Sequence, residues 1–242
     1  MDIPKNMEVT DLDKQIQVVK SHPLGILFNY SPQSEGIISY LRGGNKPDTD
    51  SIDGEMCATH LPFVFVQNED SNNKLIAHMA AKNQHIEMLE KNPNCMVVFQ
   101  SFDSYVTPDW YALKKKTHKF VPTWDFAAVH VYGKANIIRD KKWLLEQLNK
   151  LTDEQEAKRN DVKENEEKWK VSEAPEKYIE KRMDEIVGLE ISIEHIQAKF
   201  KVGQDTSEIN VKGVIDGYKQ LGDNAVTEEM IKMTKENYPK PL

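Results

Sequence analysis

The chain has 242 residues, enough for one sizeable domain or two small ones. With 39% hydrophobic and 29% charged residues it has the composition of a soluble globular protein, and no run of 18 uncharged apolar residues offers a membrane span. A net charge of −7 argues against a nucleic-acid binder, which concentrates positive charge to neutralise phosphates. The opening MDIPKNMEVTDLDK carries early acids and no apolar core, so no secretory signal is expected; the expected compartment is the cytoplasm, or also the nucleus. Residues 8–22 predict a helix capped by Thr10, with Leu12, Ile16 and Val19 as its apolar stripe. Pro23 ends it, and Leu24–Tyr30 reads as a buried strand. Residues 31–56 are polar and punctuated by Gly43, Gly44 and Pro47. They predict an inserted loop, with a short strand at Ile37–Leu41, that serves either as a lid or as a plain surface insertion.

Cys57–Val66 predicts one strand of strong β-propensity, followed by a turn at Asn68–Asn73 and a paired strand at Lys74–Met79. Residues 81–91 read as a helix with Ile86 and Leu89 inward, and Cys95–Phe102 and Phe126–Ile138 as core strands. Trp143, Leu144, Leu148 and Leu151 line one face of a second helix. The mixed-charge run 153–170 reads as a charged linker, either a solvated helix or a mobile loop, and not as a site. A third helix starts at Pro175, and a strand Leu189–Val202 shifts its alternation near His195, where a bulge is expected. Residues 206–237 predict two helices around Gly222. Cys57 and Cys95 belong to no CxxC pair or Cys/His cluster, so both read as reduced structural thiols and no metal site is expected. The basic runs, Lys114–Lys116 with Lys119 and then Lys199 with Lys201, are short. Six to eight antiparallel strands without a βαβ rhythm, a GxGxxG turn or a Walker loop predict a β-rich α+β fold: a small barrel decorated with helices.

Five segments resemble the PaiB family, in that family's order. They are Ile3-Pro4 with the helix after it, Ala58-Thr59-His60-Leu61-Pro62, His78-Met79-Ala80 with Asn83-Gln84, the VTPDWY…VPTWDFAAVHVYGKA stretch from Val106 to Ala135, and Ser172–Asp205. The resemblance implies a six-stranded antiparallel split β-barrel, related to pyridoxamine-phosphate oxidases and flavin reductases, over residues 1–205, with 206–242 as a helical extension packed on it. It further implies FMN held at the interface of a homodimer, and family members carry the label of negative transcriptional regulators. In the closing strand KVGQD, Gly203 stands where the family has a hydroxyl. The arginine-glutamine pair of pyridoxamine-phosphate oxidases is matched by Ala127 and Ala128, which speaks against that oxidation.

A flavin needs donors for its phosphate, an apolar slot for its ring and polar groups at the ring edge. The turn after His78, Met79 and Ala80 leaves a strand for a helix, and Lys82, Asn83 and Gln84 add side-chain donors there; ordinary capping by Asn83 is the plainer alternative. By resemblance, the backbone of Thr59, His60 and Leu61 runs past the ring, with the side chains of Thr59 and His60 on opposite faces. Trp124, with Trp110 and Tyr111, either walls the ring or closes a barrel end. His130 either meets the flavin or is a satisfied core histidine. Lys201 and Gln204 return beside the same pocket in the proteins this one resembles. No Ser/His/Asp set, carboxylate pair or HExxH spacing assigns a catalytic residue. The reading is thus an FMN-binding protein, an oxidoreductase on a small molecule being the activity in view. The first rival is a haem-binding or haem-processing split barrel using His60, His78 or His130, with His85 and His195 as further histidines. The second rival is a non-enzymatic regulator. Apolar strand faces such as Val97, Phe99 and Val129 are expected to need cover from a second subunit.

Overall fold

In chain order, helix α1 (Leu12–Ser21) is capped by Asp11, whose carboxylate accepts from the Lys14 N–H at 3.1 Å, not by Thr10 as its sequence position predicts. Strand β1 (Leu24–Tyr30) matches its predicted span. The predicted single strand at 57–66 is two, β2 (Met56–Pro62) and β3 (Val64–Val66). Phe63 breaks the ladder between them: it is 1% exposed and its N–H donates to Pro23 O at 2.8 Å. Strand β4 (Lys74–Ala80), helix α2 (His85–Lys91) and strand β5 (Asn94–Val106) follow. A 3₁₀ turn at Pro108–Trp110 and the short helix α3 (Lys114–Thr117) lead into β6 (Thr123–Ile138). Helices α4 (Lys141–Ala157) and α5 (Glu176–Met183) precede β7 (Ile186–Lys201), and α6 (Glu208–Gln220) and α7 (Ala225–Asn237) complete the order.

This computed structural model describes residues 1–30, 56–68, 72–161 and 167–240. The predicted strand at 37–41 and the loop around it, apart from Met56, lie outside those residues. The chain divides into two compact units. Unit 1 comprises Met1–His22, Phe99–His130 and Ile196–Leu242; unit 2 comprises Pro23–Val98 and Val131–His195.

The described strands form one sheet of seven, in the order β2-β1-β5-β6-β7-β4-β3, which corrects the expected count of six. The extra strand comes from the break at Phe63, which places two consecutive strands on opposite edges. Within unit 2, β2 lies against β4, and a single residue joins the two edges. The sheet is therefore rolled without its edges hydrogen-bonding to close it. The core of unit 2 is Leu27, Phe63, Leu75, Leu89, Val97, Leu144, Leu189 and Ile191. Gly188 leaves room for the Trp143 ring, which a Cβ there would meet at 2.3 Å.

In unit 1 the core is Val19, Phe99, Val129, Phe200, Val214, Tyr218 and Met230. Helix α6 carries glycines at 213 and 217, and the segment 107–113 lies on that bare face. A Cβ at Gly217 would sit 2.2 Å from the Trp110 ring, and one at Gly213 2.1 Å from the Trp110 carbonyl oxygen. The buried Asn210 accepts from the Leu113 N–H at 3.0 Å. Gly222, at φ +94°, makes the turn between α6 and α7 that its sequence position predicts.

Along β7 the inward residues are first Val187, Leu189 and Ile191, then Ala198 and Phe200, so the predicted change of phase is present. Val97, Phe99 and Val129 are fully buried within the chain itself. They are core, not faces awaiting a partner.

Candidate functional site

In unit 2 the candidate residues converge on one buried imidazole. The register pairs Leu27 with Thr59 and Ile26 with His60. Leu27 is fully buried, so Thr59 lies on the inner face, half-buried, while His60 is exposed on the outer one. Leu61 is buried. Across the roll, β4 ends in His78, Met79 and Ala80, held antiparallel to β7 through the pairs His78–Gly188 and Ala80–Ile186. The Ala81 N–H donates to Glu185 O at 2.9 Å and the Asn83 N–H to Ala80 O at 2.9 Å, which closes a tight turn. Asn83 Oδ1 then accepts from the His85 N–H at 2.9 Å. The His85 ring, with no exposed surface, puts Nδ1 2.8 Å from Thr59 Oγ1. Thr59, His85 and Asn83 thus form a chain of contacts from β2 to the turn.

Burial lowers the pKa of His85, so the ring is neutral at pH 7. Its Nε2 has no hydrogen-bond partner among the described residues. Around this buried link, Lys82 and Gln84 are exposed, and neither side chain has a partner among the described residues. Met79 points into the core at 2% exposure and offers a ligand only its backbone. His78 is committed elsewhere: its Nδ1 lies 2.8 Å from Oε1 of Gln147, a nearly buried residue of α4. His85 entered the sequence reading only among the further histidines. Its place on the apolar stripe of α2, with Ile86 and Leu89, is the signal that marks it as inward.

The other candidates belong to unit 1. Trp124 is 55% exposed and meets Tyr105 edge-on, with ring centroids 6.1 Å apart. Lys201 Nζ donates to Thr123 Oγ1 and to the Trp124 carbonyl, so its charge braces the start of β6. Gln204 folds onto its own turn, accepting from the Val202 N–H at 2.8 Å and donating to Phe200 O. Gly203 sits in that turn at φ +73°, a conformation that favours glycine over the hydroxyl residue expected there. His130 is half-buried, and burial lowers its pKa. Trp110 packs on α6, and Tyr111 stacks on Phe120 at 5.0 Å; neither is an open wall.

Sequence reasoning missed a buried acid in unit 1. Asp125 is 2% exposed, accepts from the Tyr218 O–H at 3.0 Å, and has its pKa pushed up to about 6 by burial. The WDF string carries no signal for it, because its partner lies 93 residues away. Burial pushes the pKa of the Cys95 thiol up to about 12 and raises that of Cys57. Both face Asn29 from opposite neighbouring strands, two strand spacings or about 10 Å apart, which is too far for a disulfide. Among the described residues no group of three or more His, Cys, Asp or Glu could hold a metal ion, and no helix is long and apolar enough to cross a membrane.

A family model described as "Putative FMN-binding domain" matches residues 1–195. The chain belongs to this family. The match takes in all of unit 2 and stops before α6 and α7. Among relatives of this FMN-binding-domain protein, an uncharacterized protein of Saccharomyces cerevisiae is 52% identical over 160 residues, covering 66% of this chain and 92% of its own. The protease synthase and sporulation protein PAI 2 of Bacillus subtilis is 30% identical over 189 residues, covering 78% and 84%. That relative bears out the PaiB-type resemblance. Among solved structures, the FAD and haem binding protein of Mycobacterium smegmatis superposes with a TM-score of 0.53 at 13% identity, covering 85% of this chain and 79% of that one. A conserved hypothetical protein of Mycobacterium tuberculosis does so with a TM-score of 0.50 at 13% identity, covering 83% and 90%. At such identities the likeness is one of fold.

Proposed function

We propose that this chain binds FMN through unit 2, with the phosphate on the Lys82–Gln84 turn and the ring along the backbone of Thr59–Leu61, the Thr59 side chain facing the phosphate end. The observation that carries the reading is the Thr59–His85 contact, which brings these two candidate segments together. The residues fit the group. Lys82 and Gln84 are exposed donors without partners among the described residues, and the Thr59 hydroxyl reaches the same turn through His85. Trp124, His130, Lys201 and Gln204 belong to unit 1, and the reading does not use them. A bound flavin would supply electron transfer, so the activity in view is oxidoreduction of a small molecule. The protein's part is to bind, orient and shield. Regulation without catalysis remains the rival role.

Titrating the purified chain with FMN and riboflavin, while following visible absorption and calorimetric heat, tests the proposal. A charge-assisted contact contributes about 1.5–3 kcal/mol, so Lys82→Ala is expected to weaken FMN roughly tenfold to a hundredfold. Riboflavin, which lacks the phosphate, is expected to bind parent and variant alike. Equal loss for both ligands, or none for either, would place the phosphate elsewhere.

One observation favours haem as a second reading. With Gln147 Oε1 accepting from Nδ1–H, the His78 ring keeps Nε2 as a free lone pair. It lines a cleft of about 250 Å³ with Leu148, Trp169, Val171 and Ile179. A Soret band on adding haemin, lost in His78→Ala, would select this reading.

A further inference from the structure

His85 sits between the two segments of the proposed flavin site yet has no surface to offer a ligand. What it can do is decide where hydrogens point. Its two neutral tautomers have opposite consequences. With the proton on Nε2, the ring would bury an N–H that has no acceptor among the described residues, and Nδ1 would draw the Thr59 O–H inward. With the proton on Nδ1, the ring donates to Thr59 Oγ1 over the observed 2.8 Å, and only a lone pair is left without a partner. Orphaned buried N–H groups are the rarer defect in folded proteins, because an acceptor tolerates under-use better than a donor does. The imidazolium form is disfavoured by the same burial that lowers the ring's pKa.

We propose that His85 is the positioning residue of the site. Its Nδ1–H donates to Thr59 Oγ1, which leaves the Thr59 hydroxyl hydrogen for a second acceptor: the neighbouring Cys57 thiol in the chain alone, and a phosphate oxygen once the cofactor is bound. The inference rests on the flavin reading above and deepens it. A hydroxyl has one hydrogen and two lone pairs, so a donor already seated on the oxygen commits the remaining hydrogen to another acceptor. An anionic phosphate oxygen is such an acceptor. Asn83, the residue whose side chain holds the His85 N–H, belongs to the turn assigned to that phosphate. The same imidazole residue therefore sets the register of the turn through its backbone and the direction of the hydroxyl through its ring. A threonine without this partner would sample both directions and donate less often.

Two measurements on the full chain test the inference. The first is long-range ¹H–¹⁵N correlation of ¹⁵N-histidine-labelled protein without ligand. The His85 signals are identified by their disappearance in His85→Phe, or in His85→Asn if the phenylalanine variant fails to fold. A protonated Nδ1 and a bare Nε2 are expected at pH 7 to 8; a protonated Nε2 there, or an imidazolium, overturns the proposal. The second is FMN affinity in Thr59→Val, His85→Phe and the double variant. Each single change is expected to weaken FMN about tenfold, and the double change no further, because both remove one donor. His85→Asn, whose side-chain amide can stand in for Nδ1–H, should restore most of the affinity. Additive losses, or equal losses for riboflavin, overturn the proposal. Failure of the parent chain to bind FMN rejects the flavin reading and the phosphate donor with it. Normal binding by the parent with unaffected variants rejects the role of His85 alone.

Discussion

Asp125 shows how much a single residue can hold against the fold. Its carboxyl is almost wholly buried, and its pKa stands at about 6 where 3.8 is ordinary. The first cause is desolvation of the anion; the Tyr218 O–H and the Lys201 charge offset it in part, and Asp205 adds to it. An acid raised in this way binds its proton more tightly folded than unfolded. This group therefore favours the folded chain most below about pH 4, loses that advantage as pH climbs toward about 6, and carries the full penalty above it. At about 1.4 kcal/mol per pKa unit, the penalty at neutral pH is roughly 3 kcal/mol. Asp125→Asn keeps an oxygen to accept from Tyr218 and removes the charge. Urea unfolding is expected to find the variant more stable than the parent by about 1–3 kcal/mol at pH 8, with the gap narrowing at pH 5. A gap independent of pH would mean that folding does not raise the pKa of this carboxyl. His85 is the contrasting case, neutral by burial and yet central to the proposed site, and residue type alone distinguishes neither.

At the scale of elements, glycine placement explains how an aromatic segment docks. Two glycines four residues apart on α6 leave a bare stripe, and Trp110 lies on it. Alanine at 217 would gain about 1 kcal/mol in helix propensity but would place a methyl 2.2 Å from the indole. Overpacking typically costs about 1–3 kcal/mol, so Gly217→Ala is expected to lower the melting temperature. Pairing it with Trp110→Leu should recover part of the loss. If Gly217→Ala is as stable as the parent, the segment is not pressed against α6. The split of one predicted strand into β2 and β3 belongs to the same scale. β-Propensity is high on both sides of Pro62 in CATHLPFVFV, and the proline, which cannot donate to a ladder, marks where β2 ends and the chain changes partner.

For the whole molecule, the open question is what covers the outer sheet face of unit 2. The register places Leu24, Ile26, Phe28 and Tyr30 of β1 on one face with Met56, Ala58, His60 and Pro62 of β2, and Met96 and Val98 of β5 continue it. Leu24, Tyr30 and Met56 are 62%, 53% and 68% exposed. We propose that two copies of the chain pair through this face. Large contiguous apolar patches mark interfaces, and an obligate one buries more than about 2,000 Å² in total. Light scattering at micromolar concentration is expected to give a dimer mass, and Met56→Glu with Tyr30→Asp a monomer. A parent chain that is monomeric would sink the proposal. With a net charge of −7, specific duplex binding is expected to be weaker than about 1 μM at physiological salt. A tight, sequence-specific gel shift would reverse that view.

The sequence by itself determined the elements and the family. Alternation placed most strands to within a few residues, helical stripes and the Gly222 break placed α6 and α7, and the ATHLP, HMA and VPTWDFAAVHVYGKA strings carried the likeness that the family match bears out. These are local signals, written in the period of the backbone and in short runs of side chains. Only the tertiary structure decided the seventh strand, the inward face of Val97 and Phe99, the binding of Gln204 to its own turn, and the meeting of Thr59 with His85 or of Asp125 with Tyr218. Each of these depends on residues brought together from separate elements, or on which face of a strand the rest of the chain covers. Period-two alternation says that two faces differ, but which one is buried follows from packing the whole sheet.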